Sequence, residues 1–173
     1  FKNFGSVLPT FYGGWNNEFK YKNFNLSFLI DFNYGNKVIS ATEYYSRLRG
    51  LNQATLVGRE TGVTNSGVTA TAESYYQAEA RNITSTSVVS GDFIKLRQLS
   101  FGYSFPKSVM GKISFLEGID ISFVARNLAI LMRKADNIDP ESSFGSNVKY
   151  YGIEGTSLPS TRSFGLNVNF KIK

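Results

Sequence analysis

The residues best equipped for chemistry in this chain are tyrosines and arginines. Tyr44-Tyr45 and Tyr75-Tyr76 are paired aromatic steps, with Arg47, Arg49 and Arg59 nearby in the chain. Aromatic faces and guanidinium planes stack on sugar rings and anchor protein contacts. Tyr44, Tyr45, Arg47, Tyr75 and Tyr76 are therefore candidates for contact with a ligand or a partner. The plainer reading is that they order a long loop from within. A second group, Lys95, Arg97, Asp120 and Arg126, lies in strand-like segments and could meet a solute inside a lumen. The plainer reading there is a set of ion pairs that satisfy one another.

Other chemistry is poorly provided for. The chain has no His and no Cys. It therefore lacks the commonest general base and metal ligand, as well as any thiolate site or disulfide. Asp139-Pro140-Glu141 offers two carboxylates, too few to hold calcium. No pair of acids is marked out for glycoside hydrolysis. We expect no catalytic residue, no cofactor and no metal site. The formal charge is +6, but the basic residues are scattered, which is a weak footprint for nucleic acid.

These side chains must be positioned by sheet. Aromatics make up 15% of the 173 residues and charged residues only 18%, below the roughly 25% of a soluble domain. From Phe24 to Gly35, Phe24, Leu26, Phe28, Ile30, Phe32 and Tyr34 alternate with Asn25, Ser27, Asp31 and Asn33. A period of two places alternate side chains on opposite faces of a strand. The same pattern predicts strands over about 12–21, 24–35, 92–105, 118–131 and 161–173. Ile94 and Leu96 fall out of phase, which predicts either a bulge there or an upper strand end that protrudes. Lys22-Asn23 suits a tight hairpin turn. The links 36–91 and 132–160 are long.

Alternation alone does not separate a soluble sandwich from a membrane barrel. Phe- and Tyr-rich apolar faces, long strands, and short links alternating with long ones favour the barrel. No stretch approaches the roughly 20 apolar residues of a membrane helix. The expected fold is all-β, an antiparallel transmembrane β-barrel. Five strands are too few to close one, since the smallest bacterial barrels have about eight. The remaining strands either lie upstream of Phe1, the reading favoured here, or come from several chains sharing one barrel; an export signal is also expected upstream, for the first residues do not form one.

Four stretches carry a family resemblance. Pro9-Thr10-Phe11-Tyr12-Gly13-Gly14-Trp15 leads into Tyr21-Lys22-Asn23-Phe24-Asn25-Leu26-Ser27-Phe28. Phe93-Ile94-Lys95-Leu96-Arg97 leads into Phe101-Gly102-Tyr103-Ser104-Phe105-Pro106. Arg126-Asn127-Leu128 precedes Asp139-Pro140-Glu141, and Leu158-Pro159-Ser160-Thr161-Arg162 precedes Phe164-Gly165-Leu166 and Phe170. In order and spacing these resemble the closing region of SusC/RagA-type, TonB-dependent outer-membrane transporters. The chain departs from that pattern by ending Phe170-Lys171-Ile172-Lys173 rather than on an aromatic residue.

The resemblance implies the last five strands of a plugged barrel of roughly 22 strands. It implies extracellular loops over 36–91 and 132–160, and a plug and N-terminal domains that are not in this chain. It also implies outer-membrane lipid as surroundings, a SusD-like surface lipoprotein as lid, and TonB as energy source through the absent N-terminal region. Oligosaccharides or peptides would be the cargo. Two rival readings are a barrel recruited as a scaffold subunit and a soluble β-sandwich that binds carbohydrate.

Overall fold

The computed structural model describes residues 2–109, 111, 115–142 and 147–172. In chain order the elements are β1 (Phe11–Tyr21), β2 (Phe24–Tyr34), β3 (Lys37–Ser40), α1 (Ala41–Leu48), β4 (Val63–Asn65) and β5 (Val68–Ala70). Then come α2 (Ala72–Asn82), β6 (Val88–Ser90), β7 (Phe93–Phe105), β8 (Leu116–Arg133), β9 (Ile153–Glu154) and β10 (Ser163–Ile172). The chain divides into two compact units. A sheet unit holds Tyr12–Asn33, Phe93–Arg133 and the residues from Ser160 onward. A loop unit holds the residues before Tyr12 together with Tyr34–Asp92 and Lys134–Pro159.

The sheet unit is a five-stranded sheet in the order β1-β2-β7-β8-β10. β2 pairs antiparallel with β7, β7 with β8, and β8 with β10. Register puts Leu26 beside Phe101, Phe101 beside Phe123, and Phe123 beside Leu166. Residues paired across strands share a face, so one face is continuously apolar. The other carries Ser27, Ser100, Gln98, Ser122 and Asn167. The apolar face is uncovered: Phe101 is 50% exposed and Leu166 68%. A soluble sheet of this size hides such a face, because contiguous apolar patches beyond a few hundred Å² are rare on monomers. Aromatic rings meet across strands on it, Phe24 with Tyr103 at 4.7 Å and Phe123 with Phe164 at 6.1 Å between centroids.

The strands differ from the sequence expectation mainly at their ends. The strand expected over 118–131 runs Leu116–Arg133, so the first two residues of the supposed loop 132–160 are sheet. The strand expected over 92–105 starts at Phe93, and the one expected from 161 starts at Ser163. Lys173, expected on the polar face, lies outside the described residues. Arg97 is an extra residue opposite Leu29 and Ile30, which pair with Gln98 and Leu96. That bulge rephases the strand. It returns Leu96 and Ile94 to the apolar side, beside Ile30 and Phe32, and so accounts for their place in the sequence pattern.

The loop unit is not bare loop. β3 pairs antiparallel with β6 and parallel with β9, and β4 pairs with β5 in a small hairpin. Helix α1 begins where the Ser40 hydroxyl accepts from the Glu43 N–H (3.0 Å). It ends in a Schellman turn: Gly50 N–H donates to Arg47 O and Leu51 N–H to Ser46 O. That turn needs a residue at positive φ, and Gly50 sits at +70°. Helix α2 is capped by Thr71, whose hydroxyl accepts from the Ser74 N–H. A small apolar core gathers Val38, Val89, Ala135 and Ile138 from segments far apart in the chain.

Candidate functional site

On the polar face of the sheet unit, the bulge is filled by ionic and amide groups. Arg97 donates Nε to Asp31 Oδ2 (3.0 Å) and adds a second bond from Nη2 to the same oxygen. Its Nη1 donates to Asn127 Oδ1 (3.1 Å), and Asn127 Nδ2 donates to the Thr161 carbonyl (3.1 Å). Asn127 lies at a second irregularity, between the pairs Gln98–Arg126 and Leu96–Ala129, at φ +50°. Asn is among the few non-glycine residues that take this conformation readily. A polar relay thus runs from β2 through β7 and β8 to the segment leading into β10. Lys95 faces the same side, paired with Asp31, and its ammonium lies 5.0 Å from the Phe93 ring centre.

Asp120 and Arg126 also share that polar face, six residues apart on β8. Lys171 Nζ lies 2.9 Å from Asp120 Oδ2. Arg126 is exposed, beside Gln98 and Ser163. The four sequence candidates therefore lie on one face of one sheet, but they are not one cluster. Arg97 is engaged at the bulge, and Asp120 is paired toward the opposite end of the strands.

In the loop unit, the aromatic candidates divide. Tyr44 and Tyr45 meet edge to face on α1, as do Tyr75 and Tyr76 on α2. Tyr76 is buried and donates its hydroxyl to the Val57 carbonyl (3.2 Å). Arg47 sits between two carboxylates, with Nε 3.8 Å from Glu43 and Nη1 3.4 Å from Glu79. Both have structural work. Arg47 and Tyr76 nevertheless line a cleft of about 650 Å³, together with Arg49, Arg59, Thr55, Thr71 and Glu73. Tyr44, Tyr45 and Tyr75 do not line it.

Three groups that sequence reasoning missed hold the loop unit together. Glu154, only 1% exposed, accepts from the Ser40 hydroxyl (2.6 Å), from the Thr42 N–H and hydroxyl, and from the Thr156 N–H. Burial pushes its carboxyl up, but these hydrogen bonds outweigh burial and hold it below the usual carboxylate range. Glu43 accepts from Asn52 Nδ2 (2.8 Å) and Asn137 Nδ2 (2.6 Å). Asp92 is likewise pushed up by burial and pulled further down by Lys134 (2.6 Å), by the Gly35 N–H (2.7 Å) and by Ser90. Lys134 is raised by the same pairing. The one available signal was an acidic residue amid otherwise uncharged neighbours, as at Glu154 within Gly152-Ile153-Glu154-Gly155-Thr156.

The described residues contain no group of His, Cys, Asp and Glu side chains able to hold a metal, and no helix among them is long and apolar enough to cross a membrane. No family model matches the chain. It is 25% identical over 172 residues to TonB-dependent receptor P3 of Formosa agariphila, and 28% identical over 173 residues to TonB-dependent receptor P39 of the same organism. Each alignment covers 96% of this chain. The backbone superposes on the RagAB peptide importer in its closed-closed state with a TM-score of 0.70 at 17% identity. That match covers 98% of this chain and 18% of the neighbour. The open-open state gives 0.69. The chain resembles TonB-dependent receptors in sequence and RagA in fold. The chain spans about 17% of the length of the TonB-dependent receptors it matches. Its antiparallel sheet corresponds to part of the RagA-type barrel, and its compartment is the outer membrane.

Proposed function

We propose that this chain is the closing portion of a barrel of roughly 22 strands that imports oligosaccharides or peptides across the outer membrane. The observation that carries the reading is the sheet itself. Its apolar face is uncovered, and its outer strands β1 and β10 each pair on one side only within the sheet. In lipid, every unpaired edge group costs several kcal/mol, so both edges require further strands of the same barrel. The segments 36–91 and 132–160 are then extracellular loops that meet cargo and a SusD-like lipoprotein lid. Energy comes from TonB through the N-terminal region of the whole protein. The name of the RagAB neighbours supports a two-component importer.

The test is uptake of labelled short peptides and oligosaccharides by cells carrying the whole protein, with and without TonB. Uptake that disappears with TonB, by a barrel that co-purifies with a lipoprotein, is the expected result. Normal uptake in cells lacking the whole protein overturns the reading. So does recovery of the protein in soluble form without detergent. A stable outer-membrane complex with no uptake of any probe points instead to the scaffold role.

A further inference from the structure

The cleft of about 650 Å³ in the loop unit holds more positive charge than its own carboxylates neutralise. Its walls come from the end of α1, the short 3-10 turn Gln53–Leu56 and the start of α2. Of its three arginines, Arg47 is neutralised by Glu43 and Glu79. Arg59 is held in place without being neutralised. Its Nε donates to the Thr55 carbonyl (3.1 Å), and its Nη2 donates to the Gly50 carbonyl (2.5 Å) and the Thr55 hydroxyl (3.3 Å). None of these acceptors is charged.

Arg49 caps the end of α1 through its backbone, and the Schellman turn at Gly50 fixes where its side chain leaves the helix. It is exposed, and its guanidinium has no hydrogen bond or ion pair among the described residues. The one acid lining the cleft, Glu73, is exposed and accepts from Gln77 Nε2 (3.2 Å). Two arginines therefore line the same opening, Arg59 with its guanidinium held in place and Arg49 with no hydrogen bond or ion pair from its side chain among the described residues. The guanidinium fork matches a planar carboxylate, which it can engage through two parallel hydrogen bonds. The buried Tyr76 supplies a rigid wall, because its hydroxyl is tied to Val57.

We propose that this cleft is a binding site for a carboxylate-bearing oligomer, with Arg49 and Arg59 taking the carboxylate. An acidic peptide and an oligosaccharide of sugar acids present the same group. The site does not depend on transport, so binding without uptake leaves it standing while removing the importer reading.

The experiment is calorimetric binding to the whole detergent-solubilised protein. The probes are triglutamate and trigalacturonate, with triglutamine and a neutral galactose trisaccharide as matched controls. At least one acidic probe is expected to bind about tenfold more tightly than its neutral counterpart, the scale of hydrogen bonds to charged groups. Triglutamate alone marks a peptide ligand, trigalacturonate alone a sugar-acid ligand, and both together a general carboxylate site. Arg59 also holds the Gly50 and Thr55 oxygens, so Arg49→Gln, which disturbs no contact, is the primary variant. It should weaken acidic binding about tenfold and leave neutral probes unchanged. Glu73→Gln should tighten acidic binding by removing a repelling charge, a gain that loss of structure does not produce. Equal affinity for acidic and neutral probes overturns the proposal, as does unchanged acidic binding in Arg49→Gln.

Discussion

The Arg97 guanidinium on β7 grips one oxygen of the Asp31 carboxylate on β2, with Nε 3.0 Å from Oδ2, across 66 residues of chain. The pair sits at the bulge that Arg97 itself creates. The relay through Asn127 to Thr161 extends it over the two following strands of the sheet order. A bulge bends and twists a strand. Here it also brings the Arg97 guanidinium to the Asp31 carboxylate, where its charge is answered.

Removing both members should cost less than the sum of removing each. Arg97→Met leaves Asp31 partly buried with its principal donor gone, a loss of about 1–3 kcal/mol. The double variant Arg97→Met with Asp31→Asn should lose less than the sum of the single variants. Guanidinium unfolding of the whole protein refolded in lipid vesicles measures all three. Strict additivity would show that the contact is incidental.

The two faces of the last strand should respond oppositely to charge. Val168 pairs with Ile121 on the apolar face and Asn167 with Ser122 on the polar face. Val168→Arg should cost about 2–4 kcal/mol if it lies near the membrane midplane, and Asn167→Arg far less. Equal tolerance of both changes in the same vesicle assay contradicts the assignment of faces.

Glycine is needed more at Gly35 than at Gly50. Both have positive φ, +88° and +70°, so alanine at either carries left-handed strain of roughly 1–2 kcal/mol. At Gly35 an added Cβ would also fall 2.5 Å from the Thr10 hydroxyl, whereas at Gly50 the nearest atom is Arg59 Nη2 at 3.7 Å. Gly35→Ala should therefore speed proteolysis within 34–92 more than Gly50→Ala does. The reverse order would mean that Thr10 moves aside freely.

Acid should loosen the loop unit through Glu154. Its carboxyl is held below its ordinary value, so the folded state binds fewer protons than the unfolded state. The stability this contributes is fully present above the unfolded value and is lost as pH falls through the folded one. The protection of the Thr42 and Glu43 amides, measured as exchange relative to the intrinsic rate at each pH, should be constant near neutrality and fall below about pH 4. Glu154→Gln should raise exchange at neutral pH and flatten this acid dependence. An unchanged acid response in Glu154→Gln would assign the transition to Asp92 instead.

Much of the barrel wall was legible from local pattern. Alternation from Phe24 to Tyr34 and from Phe164 to Ile172 identifies strands and their two faces, because a pleated strand repeats every two residues wherever it lies. The phase slip at Ile94 and Leu96 marked an irregularity for the same reason, and only the pairing of β2 with β7 shows it to be a bulge. The helices α1 and α2 were not read. Each is short, polar and capped by a single hydroxyl, Ser40 or Thr71, and such helices draw their stability from packing rather than from propensity.

By itself, then, the sequence determined strand positions, two-faced character, the absence of His and Cys chemistry, and the resemblance to SusC/RagA transporters. These rest on residues close together in the chain. Which charges are answered was decided only by tertiary structure. Arg97 finds Asp31 66 residues away, Glu154 finds Ser40 114 residues away, and Arg49 forms no ion pair among the described residues. An electrostatic partner is set by distance in space, and no spacing along this chain encodes it.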